Sequence, residues 1–140
     1  MGRRAAAAAC AAAHLVWLGL LLDDGTCISL WDIIEQDRRH RFATILSPSG
    51  AHEVVTVEPT VERSSKPWKS AKTERVYPTR WEIVMPQIDG KLIVEADLAE
   101  QEFVSPIGAH RYEAAASVSG SLRGKPVKGY GTIELRGKWT

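Results

Sequence analysis

From His14 onward the chain alternates apolar and polar side chains in short runs, and turn-forming residues close each run. A period of two is the signature of strands with one buried face. The clearest unit is Arg80–Met85 and Lys91–Ala96 around Gln87-Ile88-Asp89-Gly90. Asp-Gly between alternating runs is the strongest short-range hairpin signal. Pro78 and Pro86 bracket the first of these strands, where a ring without an N–H is tolerated. His14–Leu22 and Thr26–Asp32 around Asp23-Asp24-Gly25 predict a second hairpin, with Asp24-Gly25 suited to a type I′ turn. Arg41–Leu46, the turn Ser47-Pro48-Ser49-Gly50 and Glu53–Glu58 predict a third; His110–Ser119, Gly120–Gly124 and Pro126–Leu135 predict a fourth. Ile33–His40 reads as a polar loop or single helical turn. Pro59–Thr79 carries no sustained period, and a connection that long is expected to be functional or mobile.

These runs make eight strands in neighbour-joined order, with no helix long enough for a βαβ crossover. The expected fold is all-β, an antiparallel eight-stranded up-and-down barrel over residues 15–140, with an open sandwich as the competing architecture. Such a barrel has room for one small ligand. Parity separates Trp17, Gly19 and Leu21 from Leu18, Leu20 and Leu22, so the first strand is apolar on both faces. It is therefore covered on both sides, or one face lines an apolar cavity. Residues 1–14 are expected to be an Ala-rich leader, basic at Arg3-Arg4 and then alanine-rich to Ala13, which fits a helical, frayed or signal-like segment, and the apolar run Ala5–Leu22 approaches the length of an anchor. A cytoplasmic location is the slightly favoured expectation, and a secreted one follows if the leader is a signal peptide.

Composition adds bounds. A chain of 140 residues has single-domain length. Its 18 basic and 17 acidic side chains cancel almost fully, so no overall field draws it to nucleic acid. Arg38-Arg39-His40-Arg41 is expected to be a solvated loop. Cys10 and Cys27 supply neither metal spacing nor a disulfide framework, and Cys27 is expected to be a buried, reduced thiol. His14, His40, His52 and His110 lack close metal spacing; no glycine-rich phosphate loop and no serine nucleophile elbow is present. The expectation is no metal and no cofactor. Candidate chemistry rests on Trp17, Trp31, Trp81 and Tyr112 as stacking faces around an apolar substrate, with core packing as the alternative. Glu113, mid-strand among alanines, would be a general acid if it pointed inward, and is a solvent-facing glutamate otherwise. His110, with Arg111, lies at a strand mouth, where proton transfer or orientation is possible.

Four stretches recur in order in a known family: WLGLLLDDGTCISLW (Trp17–Trp31), VYPTRWEIVMP (Val76–Pro86), QEFVSPIGAHRYEAAASVSG (Gln101–Gly120) and GKPVKGYGTIELRG (Gly124–Gly137). Together they resemble the carotenoid 1,2-hydratase/AttH-like family of hydroxyneurosporene synthases, to which fungal kievitone hydratases and lipocalin-like Diels–Alderases are similar. The resemblance implies a lipocalin-like barrel. It covers Leu15–Thr140 and matches only the second of the family's two tandem barrels. The first barrel is missing from the match, the family's acidic, His-bearing segment is replaced by the alanine run, the aromatic-Glu-Gly pattern reads Tyr112-Glu113-Ala114, and the Trp-Phe pair reads Trp17-Leu18. The implied function is a cofactor-independent biosynthetic enzyme of secondary metabolism. It would fold an apolar polyketide or terpenoid and promote cyclisation or isomerisation. A hydratase or lyase acting on an alkene is the close alternative, and a non-catalytic binder or an incomplete fragment is the third. The implied partners are a hydrophobic small molecule and a second barrel or a second copy of the chain.

Overall fold

A computed structural model describes residues 14–140. The leader expected at residues 1–14 lies almost entirely outside them. The described chain is all-β and antiparallel, with ten strands: β1 (His14–Leu22), β2 (Cys27–Ile34), β3 (Arg39–Leu46), β4 (His52–Thr56), β5 (Ser64–Lys69), β6 (Val76–Met85), β7 (Gly90–Ala96), β8 (Glu102–Phe103), β9 (Arg111–Leu122) and β10 (Lys125–Gly137). One sheet runs β4-β3-β2-β1-β10-β9-β7-β6-β5, and β8 adds to the end of β9. Among the described residues the only helical pieces are 3₁₀ turns at Val61–Arg63 and Pro86–Ile88, and no helix is long and apolar enough to cross a membrane.

The eight expected strands are all present, and two more correct the count. Both lie where the period of two breaks down. β5 falls in the stretch read as a structureless gap: Ser64–Lys69 pairs with β6, with Pro67 opposite Pro78. It is the sheet's last strand, so proline's missing N–H costs no ladder bond on its open side. β8 is only two residues long, too short to show a period. β2 and β3 also extend into Ile33–His40, pairing Ile33 with His40 and Ile34 with Arg39.

The ladder does not close, which corrects the closed barrel. β4 and β5 end the sheet, and the seam is stitched instead of paired. Glu58 donates its N–H to the Val84 carbonyl at 2.9 Å. Gln87 Oε1 accepts from the Thr56 N–H (2.6 Å) and hydroxyl (2.9 Å).

The turns follow their residues. Arg123 and Gly124 both adopt positive φ (53° and 76°), as a two-residue type I′ hairpin requires. Asp24-Gly25 does not form one: only Gly25 has positive φ, and Gly25 donates to the Leu22 carbonyl while Asp24 Oδ1 caps the Thr26 N–H. Asp89 takes the left-handed conformation at the end of the 3₁₀ turn that leads into β7. At Gly120, φ is 142° and a Cβ would lie 2.1 Å from the Lys91 carbonyl oxygen, so β9 and β7 approach there as only glycine permits.

One face of this curled sheet is filled. Val16, Leu18, Leu20, Ile28, Leu30, Ile45, Ile83, Leu92, Val118, Ile133 and Leu135 pack with the buried rings of Trp81, Tyr77 and Tyr112. Asp32 is also fully buried there. Arg39 grips it through Nε (2.9 Å) and a terminal nitrogen (2.7 Å), and Thr60 gives it both its N–H (3.1 Å) and its hydroxyl (2.7 Å). Arg39 also reaches Glu62, and Arg41 donates to the Val57 carbonyl, which corrects the solvated-loop reading of the arginine cluster. Cys27 is exposed, not buried, because the inward parity of β2 belongs to Ile28, Leu30 and Asp32.

Candidate ligand-binding groove

The outward parity of four neighbouring strands builds a trough. Register places Phe42, Trp31, Trp17 and Glu134 in one row across β3, β2, β1 and β10. The next row on the same face is Thr44, Ser29, Gly19 and Thr132, and the one after it is Leu46, Cys27, Leu21 and Tyr130. A middle row of small and hydroxylated residues between an aromatic row and an apolar one leaves a groove of about 530 Å³. That volume lies within the range of small-molecule sites. Its apolar wall is open to solvent: Leu21, Leu46 and Tyr130 are exposed.

Gly19 shapes the floor. The Trp17 indole lies across it, so a Cβ at Gly19 would meet Trp17 Cη2 at 2.6 Å. Trp17 Nε1 donates to Ser29 Oγ at 3.1 Å, which fixes the ring's tilt, and Trp31 stands 6.1 Å away at 48°. Cys27 and the hydroxyls of Ser29, Thr44, Tyr130 and Thr132 are the polar groups along the groove.

The expected site residues divide between three places. Trp17 and Trp31 belong to this outer face. Trp81 and Tyr112 are in the packed interior, fully buried, with Tyr112 stacked 5.0 Å from Tyr77 and donating its hydroxyl to the Ala99 carbonyl at 2.7 Å. Burial pushes the Tyr112 phenol up to about 12. Glu113 faces outward, exposed and ion-paired with Arg111. It occupies the aromatic row one strand beyond Glu134. His110 precedes β9 at the interior's mouth, where its Nδ1 accepts the Ser105 N–H at 3.1 Å and its carbonyl accepts from Arg75. The four aromatics thus do not surround one cavity, and the groove is lined by neither Glu113 nor His110.

Glu102 was not singled out by the sequence. It gathers Ser70 (2.6 Å), Thr73 (2.6 Å) and Tyr77 (2.7 Å) at the same mouth. Burial works to raise its carboxyl, but the three donors outweigh it and hold it below the usual range. The Tyr77 phenol is pushed up, by burial first and by Glu102 second. A carboxylate accepting three hydrogen bonds is suited to fastening the β5–β6 connection to β8, not to donating protons.

The AttH-like family model matches residues 7–138. The chain therefore belongs to the AttH-like family. Among solved structures it is similar to kievitone hydratase from Nectria haematococca (24% identity, TM-score 0.78), covering 90% of this chain and 40% of that one. It is also similar to the AttH of Nitrosomonas europaea (25% identity, TM-score 0.73), covering 89% of this chain and 38% of that one. The chain thus spans well under half the length of either. A search of curated proteins finds no match.

Proposed function

We propose that this chain is a lipocalin-like unit of a hydratase-type enzyme that holds an apolar, alkene-bearing molecule in the outer groove. The observation that carries the reading is the trough itself, a floor of Gly19, Ser29, Thr44 and Thr132 between an aromatic ridge and an apolar one. The kievitone hydratase among the similar structures supports water addition as the chemistry. Hydration needs a proton delivered to an alkene carbon, a stabilised cation and a water that attacks it and then loses a proton. Trp17 and Trp31 offer π faces to the cation. Glu134, directly across from Trp17 on β10, ion-paired with Arg136 and 19% exposed, is our candidate for exchanging the protons from the groove's aromatic rim, outside its lining, and Glu113 lies one strand further along the row. The groove is open on one side. A second barrel or a second copy of this chain would roof it, shielding the cation from bulk solvent while leaving room for the one attacking water.

A second reading has its own support. Among the described groove residues the polar groups are hydroxyls and a thiol, with no acid. That suits cyclisation or isomerisation of a polyketide or terpenoid, which needs a fixed reactive conformer more than a proton donor. One experiment separates the readings. With an isoprenoid or polyketide alkene as substrate, hydration predicts that Glu134→Gln lowers kcat about a hundredfold or more with KM little changed. Cyclisation predicts a Glu134→Gln enzyme that turns over normally and a Trp17→Ala enzyme that loses both binding and rate. Binding without turnover by any of them leaves a non-catalytic binder.

A further inference from the structure

Inside the sheet, Trp81 is fully buried and its Nε1–H has no hydrogen-bond partner. A buried donor left unpaired is destabilising, so a native structure that keeps one has a reason to do so. Trp139, in the strandless segment after β10, stands edge-on to Trp81 at 6.2 Å and 84° and also packs on His14 (5.0 Å) and Tyr77 (6.5 Å). Trp139 also lines a separate surface groove of about 400 Å³ with Thr73, Glu74, Arg75, Lys138 and Thr140. Trp139 thus borders both that groove and the Trp81 ring that carries the unpaired donor. Its own Nε1 bonds only locally, to the Arg136 carbonyl at 2.9 Å, so the ring can swing out without breaking a ladder bond.

We propose that Trp139 is a displaceable plug over a second ligand site. The site takes an apolar molecule carrying a carbonyl oxygen: the apolar body replaces the Trp139 indole among the rings, and the oxygen accepts from Trp81 Nε1. The outer groove is not involved, because it opens on the opposite face of the sheet.

The test uses the full chain, with trans-chalcone as the ketone probe and 1,3-diphenylpropene as its hydrocarbon counterpart. Each of the five tryptophans gives one indole N–H resonance, assignable by single Phe substitutions. Chalcone should shift the Trp81 and Trp139 resonances, and Trp139→Ala should tighten chalcone binding severalfold. Trp81→Phe keeps an aromatic ring, smaller than indole, but removes the donor. In the Trp139→Ala background it should abolish the preference for chalcone over the hydrocarbon, leaving hydrocarbon affinity unchanged. If Trp139→Ala does not fold, Trp139→Leu carries the same comparison. An unmoved Trp81 resonance at saturating chalcone overturns the proposal. So does equal affinity for ketone and hydrocarbon with Trp81 intact.

Discussion

Asp32 shows how individual side chains set this molecule's tolerances. Burial alone would push its carboxyl up, but the hydrogen bonds from Arg39 and Thr60 outweigh burial and hold it below the usual range. Glu62 is lowered by its bond to Arg39, and Glu102 by its three hydroxyl donors against its burial. Because these folded-state values lie below the unfolded ones, about 3.9 for Asp and 4.3 for Glu, the stability they contribute is fully present above about pH 5 and is lost as the pH falls through their lowered values. The urea midpoint should therefore be flat from pH 7 to 5 and drop below it, and Glu102→Gln should make that drop shallower. An acid limb unchanged in the variant would remove Glu102 from the account. Arg39→Ala leaves a fully buried carboxylate with Thr60 as its remaining partner, so chemical denaturation should show a loss of about 3 kcal/mol or more. In the groove, Gly19→Ala puts a Cβ into the Trp17 ring, so the indole must move. Circular dichroism should stay native while the Trp17 indole resonance shifts and affinity for an apolar alkene falls severalfold.

Strands are held by register, and register decides what the sequence could reveal. The alternation in β9 and β10 was plain in the sequence, and the observed inner faces follow it at Ala114, Ala116, Ile133 and Leu135, whereas β1 is apolar on both faces and a buried Cys27 would have turned β2 the opposite way from its inward Ile28 and Leu30. The groove could not be read that way. Its rows exist only once β1 is known to lie between β2 and β10, and nothing local marks Thr44, Ser29, Gly19 and Thr132 as neighbours. Trp17, Trp31, Trp81 and Tyr112 read alike as aromatics on strands, whereas parity sends the first two outward and the last two inward. β5 was hidden by Ser64-Ser65-Lys66-Pro67, whose polarity fits an edge strand and a loop equally. The contact between β9 and β7 gives a test at this scale. Gly120→Ala meets the Lys91 carbonyl at a positive φ, so it should destabilise by about 1–3 kcal/mol or more, whereas Gly124→Asn, in a turn with open space, should cost far less. Equal thermal shifts for the two would refute the close approach.

At the scale of the whole molecule, the sheet curls around a filled core and presents its aromatic trough to the outside. Among the described residues the outer face offers a preformed groove of ligand size, while the interior is packed with apolar side chains. The similar structures extend well beyond the matched region, and under the proposed function a second barrel or a second copy of the chain supplies the roof over the groove's open side. If a second copy serves as that roof, an apolar ligand should promote self-association, and Leu46→Asp should abolish it without unfolding the monomer. Sedimentation velocity with and without ligand reads this directly. The central claim, that an apolar molecule is held against the outward tryptophans, is tested most directly by titrating an isoprenoid alkene while following the five indole N–H resonances. The account predicts saturable shifts of Trp17 and Trp31, with Trp68, Trp81 and Trp139 unmoved and the Trp17 shift lost in Gly19→Val. Shifts confined to Trp81 and Trp139, or a Trp17 resonance that never moves at saturation, would contradict it.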